Sequence, residues 1–215
     1  MFTTLQQIQD FIAAKSWDCY FKNEINAWVF VWYPEDGHLG HAAMLIGDLS
    51  IESPYVSWCP KNTREGILEF FRKSPSLRQS TLNPETQNYE FETSSYDMDC
   101  FSEENSPHVI YGLRGLDVRE MQMAWHNIVS RENSSFSPLS KNCASIVSRV
   151  LKAGLTRSPL RHRVLGVFYG GQYIWTPKRI AVICNLLRDN NAAWKIVVPE
   201  RNSKKSLFKT LIRLR

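Results

Sequence analysis

The chain has 215 residues, of which 43% are hydrophobic and 22% charged, with a formal net charge of +5. That length suits one sizeable domain with short appendages, and the composition is ordinary for a soluble globular protein, enzyme or binding module alike. No apolar run reaches the ~18 residues that a membrane-spanning helix requires. The start, Met1-Phe2-Thr3-Thr4-Leu5-Gln6-Gln7, has no basic region leading into an apolar stretch, so an ordinary secretory signal is not expected.

Cys19, Cys59, Cys100, Cys143 and Cys184 are odd in number, widely spaced and free of any CxxC pair. This argues against a zinc ribbon or a disulfide framework, predicts no metal site, and suits a reducing compartment. The positive excess is a property of the tail: Arg201, Lys204, Lys205, Lys209, Arg213 and Arg215 occur there with no acidic residue after Arg201.

In chain order, residues 4–15 read as a helix with Leu5, Ile8, Phe11 and Ile12 on one face. Ala27–Tyr33 is an apolar and aromatic run ending at Pro34, as in a buried strand. Gly40–Gly47 and Pro54–Trp58 follow as further strands of an antiparallel meander. Thr63–Lys73 is expected as a short helix and 74–95 as an exposed loop. Tyr96–Phe101 alternates polar and apolar residues, and His108–Leu113 is another strand. Asp117 with Glu120 makes a capping box for a helix to about Ser130. Residues 155–174 hold a basic loop with Arg157, Arg161, His162 and Arg163. Thr176-Pro177 starts a helix to about Arg188, and Ala193–Val198 closes as a strand.

The segment most suited to chemistry runs from Ser140 to Gly154. Ile146, Val147, Val150 and Leu151 give a helical face, Asn142 precedes it, and Gly154 stands where a left-handed stop is wanted. Cys143 therefore falls in the first turn, where unpaired N–H groups and the positive helix end favour thiolate over thiol. A thiolate acting on a carbonyl needs a base, a group that orients the base, and oxyanion donors. Of the five histidines, His41 opens a strand between Gly40 and the small residues Ala42 and Ala43, so its ring can face a cleft. His38 in a turn, His126 in an amphipathic helix and His162 in the basic loop read as structural.

The ordered set Gly40–Gly47, Tyr55–Pro60, Tyr96–Asp99, Gly115–Asp117, Trp125, Asn142–Ala144 and Trp175–Pro177 resembles a circularly permuted papain-like family of bacterial toxins and effectors. Within it, the chain is similar to the Rho-inactivation domains of multifunctional autoprocessing toxins and to Shigella-type fatty acyltransferase effectors. The likeness covers roughly residues 25 to 190.

The resemblance implies an α+β fold with a circularly permuted papain-like core, an antiparallel sheet packed against the helix carrying the nucleophilic Cys. The expected organisation is residues 1–24 as an N-terminal helical segment, 25–200 as the permuted papain-like catalytic domain and 201–215 as a basic amphipathic tail. Family members move a long-chain fatty acyl group from acyl-coenzyme A to lysines of Rho-type small GTPases. Carried over, Cys143 is the nucleophile, His41 the base, and Asp97 the orienter, with Asp99 in reserve and Glu52 third; on an extended segment Asp97 and Asp99 share a face, so spacing cannot separate them. The Cys143 backbone N–H, with the Asn142 side chain, would hold the oxyanion. Tyr55, Trp58 and Trp175 would line an acyl channel, each also readable as a core aromatic. Cys59 departs from the pattern, since relatives usually carry a second Trp there, and the 74–95 loop has no counterpart.

No cofactor is expected beyond acyl-coenzyme A as co-substrate, and a host small GTPase is the expected protein partner. Leu207, Phe208, Leu211 and Ile212 alternate with Lys204, Lys205, Lys209 and Arg213, which suits a tail helix lying on an anionic membrane. No nucleic-acid motif is present. The expected setting is an exported bacterial effector in the host cytoplasm, soluble or peripheral to a membrane. Two other readings stay open: a thiol peptidase or amidase with the same triad, and an inactive membrane-docking module.

Overall fold

The structure, a computed structural model, describes residues 2–14, 24–35, 39–60, 91–131, 136–137, 140–169 and 174–198. The expected helix at Thr63–Lys73, most of the 74–95 loop and the whole tail, with Lys204, Lys205, Lys209 and Arg213, lie outside the described residues.

The chain begins with α1 (Leu5–Ala14), β1 (Ile25–Trp32), β2 (His41–Ile46), β3 (Tyr55–Val56), β4 (Cys59–Pro60) and β5 (Phe91–Glu92). It continues with α2 (Tyr96–Ser102), β6 (Val109–Arg114), α3 (Val118–Val129), α4 (Cys143–Gly154), α5 (Arg161–Tyr169), α6 (Pro177–Asp189) and β7 (Ala193–Val197). The result is an α+β protein. Its five-stranded sheet is antiparallel throughout, in the order β3-β2-β1-β6-β7, and β4 pairs with β5 separately.

Both faces of this sheet are covered, which explains why β1 reads as a continuous apolar run rather than an alternating one. Ala27, Val29 and Val31 of β1 join Ala42, Met44 and Ile46 of β2 in a core with α3, α4 and α6. Trp28, Phe30 and Trp32 point the other way, with Ala43 and Leu45, into a core that includes Ile8 and Ile12 of α1 and Tyr96 and Cys100 of α2. The amino-terminal helix thus shares a core with the sheet.

Helix α4 stands mainly on packing. Ile146, Val147, Val150 and Leu151 are fully buried, each such burial contributing about 1.5–3 kcal/mol, against roughly 1 kcal/mol for an N-cap. The cap nevertheless sets where the helix begins: Asn142 Oδ1 accepts from Ser145 N–H at 2.9 Å. Asp117 caps α3 from Glu120 N–H at 3.1 Å, and Thr176 caps α6 from Arg179 N–H at 3.3 Å.

Three local expectations are corrected. Tyr96–Ser102 is helical, because Ser95 caps it by accepting from Met98 N–H at 3.3 Å and Tyr96, Asp99 and Cys100 form one buried i, i+3, i+4 face. Residues 161–169, which take in Arg161, His162 and Arg163 of the expected basic loop and the apolar residues after them, form α5, with Val164 and Phe168 at i, i+4 packed against the α3/α4/α6 core. Gly154 ends α4 without a left-handed φ: a Cβ there would lie 2.7 Å from Met121 Cγ and 2.8 Å from its Sδ, so close approach of α3 demands the glycine.

Candidate active site

His41 is the first residue of β2, paired with Trp32 across the β1–β2 register. By alternation it shares the aromatic face of the sheet with Ala43 and Leu45, and its ring lies 5.5 Å from that of Trp32. The preceding turn needs Gly40, whose φ is +77° and whose added Cβ would meet Trp32 O at 2.6 Å and Pro34 N at 2.8 Å. His41 is thereby held at the sheet's end with only 5% of its surface exposed.

Asp99, on α2, is the carboxylate that meets it. Little more than half a turn of helix separates the two candidates that an extended strand would have kept together: residues two apart on a helix lie about 200° around the axis from each other. Asp99 is buried toward the sheet and Asp97 is exposed. His41 Nε2 lies 3.0 Å from Asp99 Oδ2. Tyr55 donates its hydroxyl to the same Oδ2 at 2.8 Å, and Ser57 donates to Oδ1 at 3.2 Å while lying 3.2 Å from His41 Nε2. Glu52 is exposed between β2 and β3.

Opposing effects set the charge state of this pair. Burial pushes the Asp99 carboxyl up, but the His41 charge and hydrogen bonds from His41, Ser94 and Tyr55 outweigh it and hold the group below its ordinary value. Burial pulls His41 down, while the Asp99 charge and the Asp99 hydrogen bond work against it, and the imidazole is raised well above its ordinary value. The favoured state is imidazolium beside carboxylate, fixed by Tyr55 and Ser57. Tyr55 itself is raised by burial and then by Asp99, so it stays a phenol and a donor.

Cys143 approaches from the other layer. It opens α4, half-buried, and α4 packs along β2 on the aliphatic side of the sheet. His41 opens that same strand β2, so the helix that begins at Cys143 packs against the strand that carries the histidine. Asn142, the expected oxyanion donor, spends its side-chain oxygen on the α4 cap and donates Nδ2–H to Trp175 O at 2.9 Å. Its amide thus ties the start of α4 to the segment before α6.

The three aromatics take separate places. Tyr55 supports Asp99. Trp58 is fully buried, edge-on to Trp125 at 6.3 Å, with Lys141 Nζ 5.0 Å over its ring. Trp175 is half-buried beside Phe168 at 5.9 Å, with the Arg179 guanidinium 4.3 Å over its ring.

Two participants went unmarked in the sequence reading. Ser57, the residue just after β3, bridges the pair. Cys59 Sγ lies 3.7 Å from Ser57 Oγ, and one ligand atom each from Cys59, His41 and Asp99 falls within 4.8 Å of the others. Burial pushes the Cys59 thiol up to about 12, with the His41 charge working against that and Asp99 adding to it. Cys59 is therefore a thiol at neutral pH.

The arrangement defines an α+β protein with a buried histidine–carboxylate pair flanked by two cysteines, compatible with thiol-based enzymatic chemistry. Its similarities are to bacterial toxins and effectors. Residues 108–195 match the family described as IcsB middle domain. A 68-residue stretch, 32% of this chain, is 38% identical to the "Multifunctional-autoprocessing repeats-in-toxin" of Vibrio cholerae serotype O1 (strain ATCC 39315 / El Tor Inaba N16961). A stretch of the same length is 35% identical to the protein of that name from Vibrio vulnificus. The match spans 1% of the length of each of these toxins. No helix among the described residues is long and apolar enough to cross a membrane.

Proposed function

We propose that this chain is a cysteine-dependent acyltransferase on a circularly permuted papain-like core, moving a long-chain fatty acyl group from acyl-coenzyme A to lysines of a Rho-type GTPase in a host cell. The observation that carries this reading is the His41–Asp99 pair, 3.0 Å apart and buried, beside a half-exposed cysteine at a helix start. The similarity to exported bacterial toxins supports an effector role in the host cytoplasm, and the tail with Lys204, Lys205, Lys209 and Arg213 would bring the protein to anionic membranes.

In this mechanism the Cys143 thiolate attacks the thioester carbonyl. The coenzyme A thiolate leaves and takes the proton of the His41 imidazolium. The S-acyl enzyme is then attacked by a lysine amine, whose proton returns to His41 as Cys143 is expelled. Asp99 keeps the ring oriented and stabilises its charge, as a buried carboxylate does in other triads. Cys143 rather than Cys59 is the nucleophile, because Cys59 remains protonated. Lys141, whose pKa is held below the ordinary value by burial and then by Arg149 and Arg131, marks a positive region near Cys143 suited to the phosphates of coenzyme A.

Intact mass spectrometry of the protein with palmitoyl-coenzyme A tests this. A hydroxylamine-labile acyl adduct is expected on the wild type, mapping to the Cys143 peptide, and none on Cys143→Ala. His41→Ala should form it far more slowly. An adduct on Cys59 would overturn the choice of nucleophile. No adduct on a wild type whose Cys143 is selectively alkylated would favour amide or peptide hydrolysis, and neither adduct nor selective alkylation would leave the docking module.

A further inference from the structure

Acyl transfer leaves Cys59 without a task, although its sulfur shares a small space with the base and its carboxylate. His41, Cys59 and Asp99 offer one nitrogen, one sulfur and one oxygen, all within 4.8 Å of one another. Two of the three residues, His41 and Asp99, are buried, and Cys59 is half-buried. A mixed N, S, O set suits a borderline-soft ion of the zinc type, whereas magnesium and calcium take oxygen ligands.

The dimensions are close to those such an ion needs. Bonds of about 2.0–2.3 Å in a tetrahedron put ligand atoms roughly 3.3–3.8 Å apart, so the cluster has to contract by about 1 Å at its widest. The His41–Asp99 separation of 3.0 Å would open slightly. The surroundings are already those of a supported ligand set. Tyr55 holds Asp99 Oδ2 at 2.8 Å and Ser57 holds Oδ1 at 3.2 Å, the kind of outer hydrogen bonds that orient metal-ligating carboxylates. Water would complete the fourth position.

We propose that His41, Cys59 and Asp99 form a binding site for a thiophilic divalent cation of the zinc class. The ion takes the His41 nitrogen now directed at Asp99 and displaces the Cys59 proton to solvent, leaving a sulfur–metal bond. Binding stands without the acyltransfer reading. Its consequence, reversible inhibition through loss of the base, rests on that reading.

Cobalt(II) titrated into the reduced full-length chain reads the site directly. A thiolate-to-cobalt charge-transfer band, saturating at one ion per chain, is expected in the wild type and in Cys143→Ala. It should vanish in both Cys59→Ala and Cys59→Ser, with circular dichroism confirming that at least one of them is folded. Zinc affinity, measured by competition with a chromophoric chelator, should fall at least about tenfold in His41→Ala. No band in the wild type, or a band that survives in folded Cys59 variants, overturns the proposal. A cobalt band in a protein that forms no acyl adduct would sink the acyltransferase reading while leaving the metal site in place, and an adduct without a band would do the reverse.

Discussion

The two faces of the central sheet differ in what they are built to do. Toward α3, α4 and α6 the sheet presents Ala27, Val29, Val31, Ala42, Met44 and Ile46, small and aliphatic side chains against which the helices pack. Toward α1 and α2 it presents Trp28, Phe30 and Trp32, and this aromatic layer encloses an ion pair. The aliphatic face fixes the position of the helix that delivers Cys143; the aromatic face lowers the local polarity around His41 and Asp99. Damage to one face should cost stability alone, and damage to the other should also change titration.

The largest effect is expected from Asp99→Asn. Breaking a buried pair by neutralising one partner costs about 3–5 kcal/mol, and here it also removes the charge that raises His41. The sign follows from linkage. In the wild type, the raised His41 contributes stability that is fully present below about pH 6.5 and lost as pH rises through its folded pKa. The depressed Asp99 contributes stability present above about pH 4 and lost as pH falls through its folded pKa. In Asp99→Asn the Asp99 charge and its hydrogen bond no longer raise His41, and burial, the largest influence on the ring, favours the neutral form. Stability of the variant should therefore rise from pH 5 to 7 where that of the wild type does not, giving the widest gap near pH 5. Urea melts across that range, with the His41 ring proton followed by NMR, check it; parallel pH profiles would remove the ion pair from the account.

Ile146→Ala is the matching probe of the aliphatic face. Its fully buried side chain predicts a loss of about 2–5 kcal/mol. His41 should titrate as in the wild type, because Ile146 lies in the other core. A shifted His41 titration in this variant would mean that the two faces are not separable.

Much of the difference between the faces could be read from the sequence and its key could not. The strands were legible because their apolar runs are bounded by Pro34, Gly40 and Gly47, and the helices because Asp117, Asn142 and Thr176 announce their starts. The α+β class follows from those elements. What escaped was three-dimensional: Asp97 and Asp99 become distinguishable only once Tyr96–Ser102 is a helix. The capping Ser95 and the i, i+3, i+4 spacing of Tyr96, Asp99 and Cys100 carried that signal, but a two-residue alternation masked it. Cys59 had no local signal at all, since its nearness to His41 depends on the β2–β3 register that pairs Met44 with Val56 and Leu45 with Tyr55.

Tyr55→Phe sharpens the aromatic side of the comparison at a smaller scale. The lost hydrogen bond is to a charged acceptor and should cost about 1.5–3 kcal/mol. Because that bond favours the ionised carboxylate, Asp99 should titrate at higher pH in the variant. The stability cost should accordingly be complete near neutrality and shrink only in strong acid, as pH falls through the depressed folded-state value of Asp99, which the variant reaches first. Acid and urea titrations of the two proteins measure this directly, and a cost that does not vary with pH would assign Tyr55 to packing alone.

The smallest stability effect is expected at Asn142, where the two faces meet at the site. Asn142→Ala removes the cap on Ser145 N–H and should cost about 1 kcal/mol. Asn142→Asp keeps an oxygen to accept from Ser145 and places a negative charge at the favourable helix end, so it should recover most of that loss, while lacking the N–H that holds Trp175 O. If the amide only positions α4, acyl-adduct formation should fall in both variants roughly in step with the loss of the Trp175 tether, with substrate affinity affected more than the chemical step. If instead it stabilises the oxyanion, both should lose the chemical step by about 100- to 1,000-fold with affinity retained, the magnitude seen when one such donor is removed. Single-turnover acylation rates at saturating palmitoyl-coenzyme A separate the two roles. The bond from Nδ2 to Trp175 O at 2.9 Å favours the first, because a donor already directed at a backbone carbonyl must surrender that bond before it can serve a developing charge.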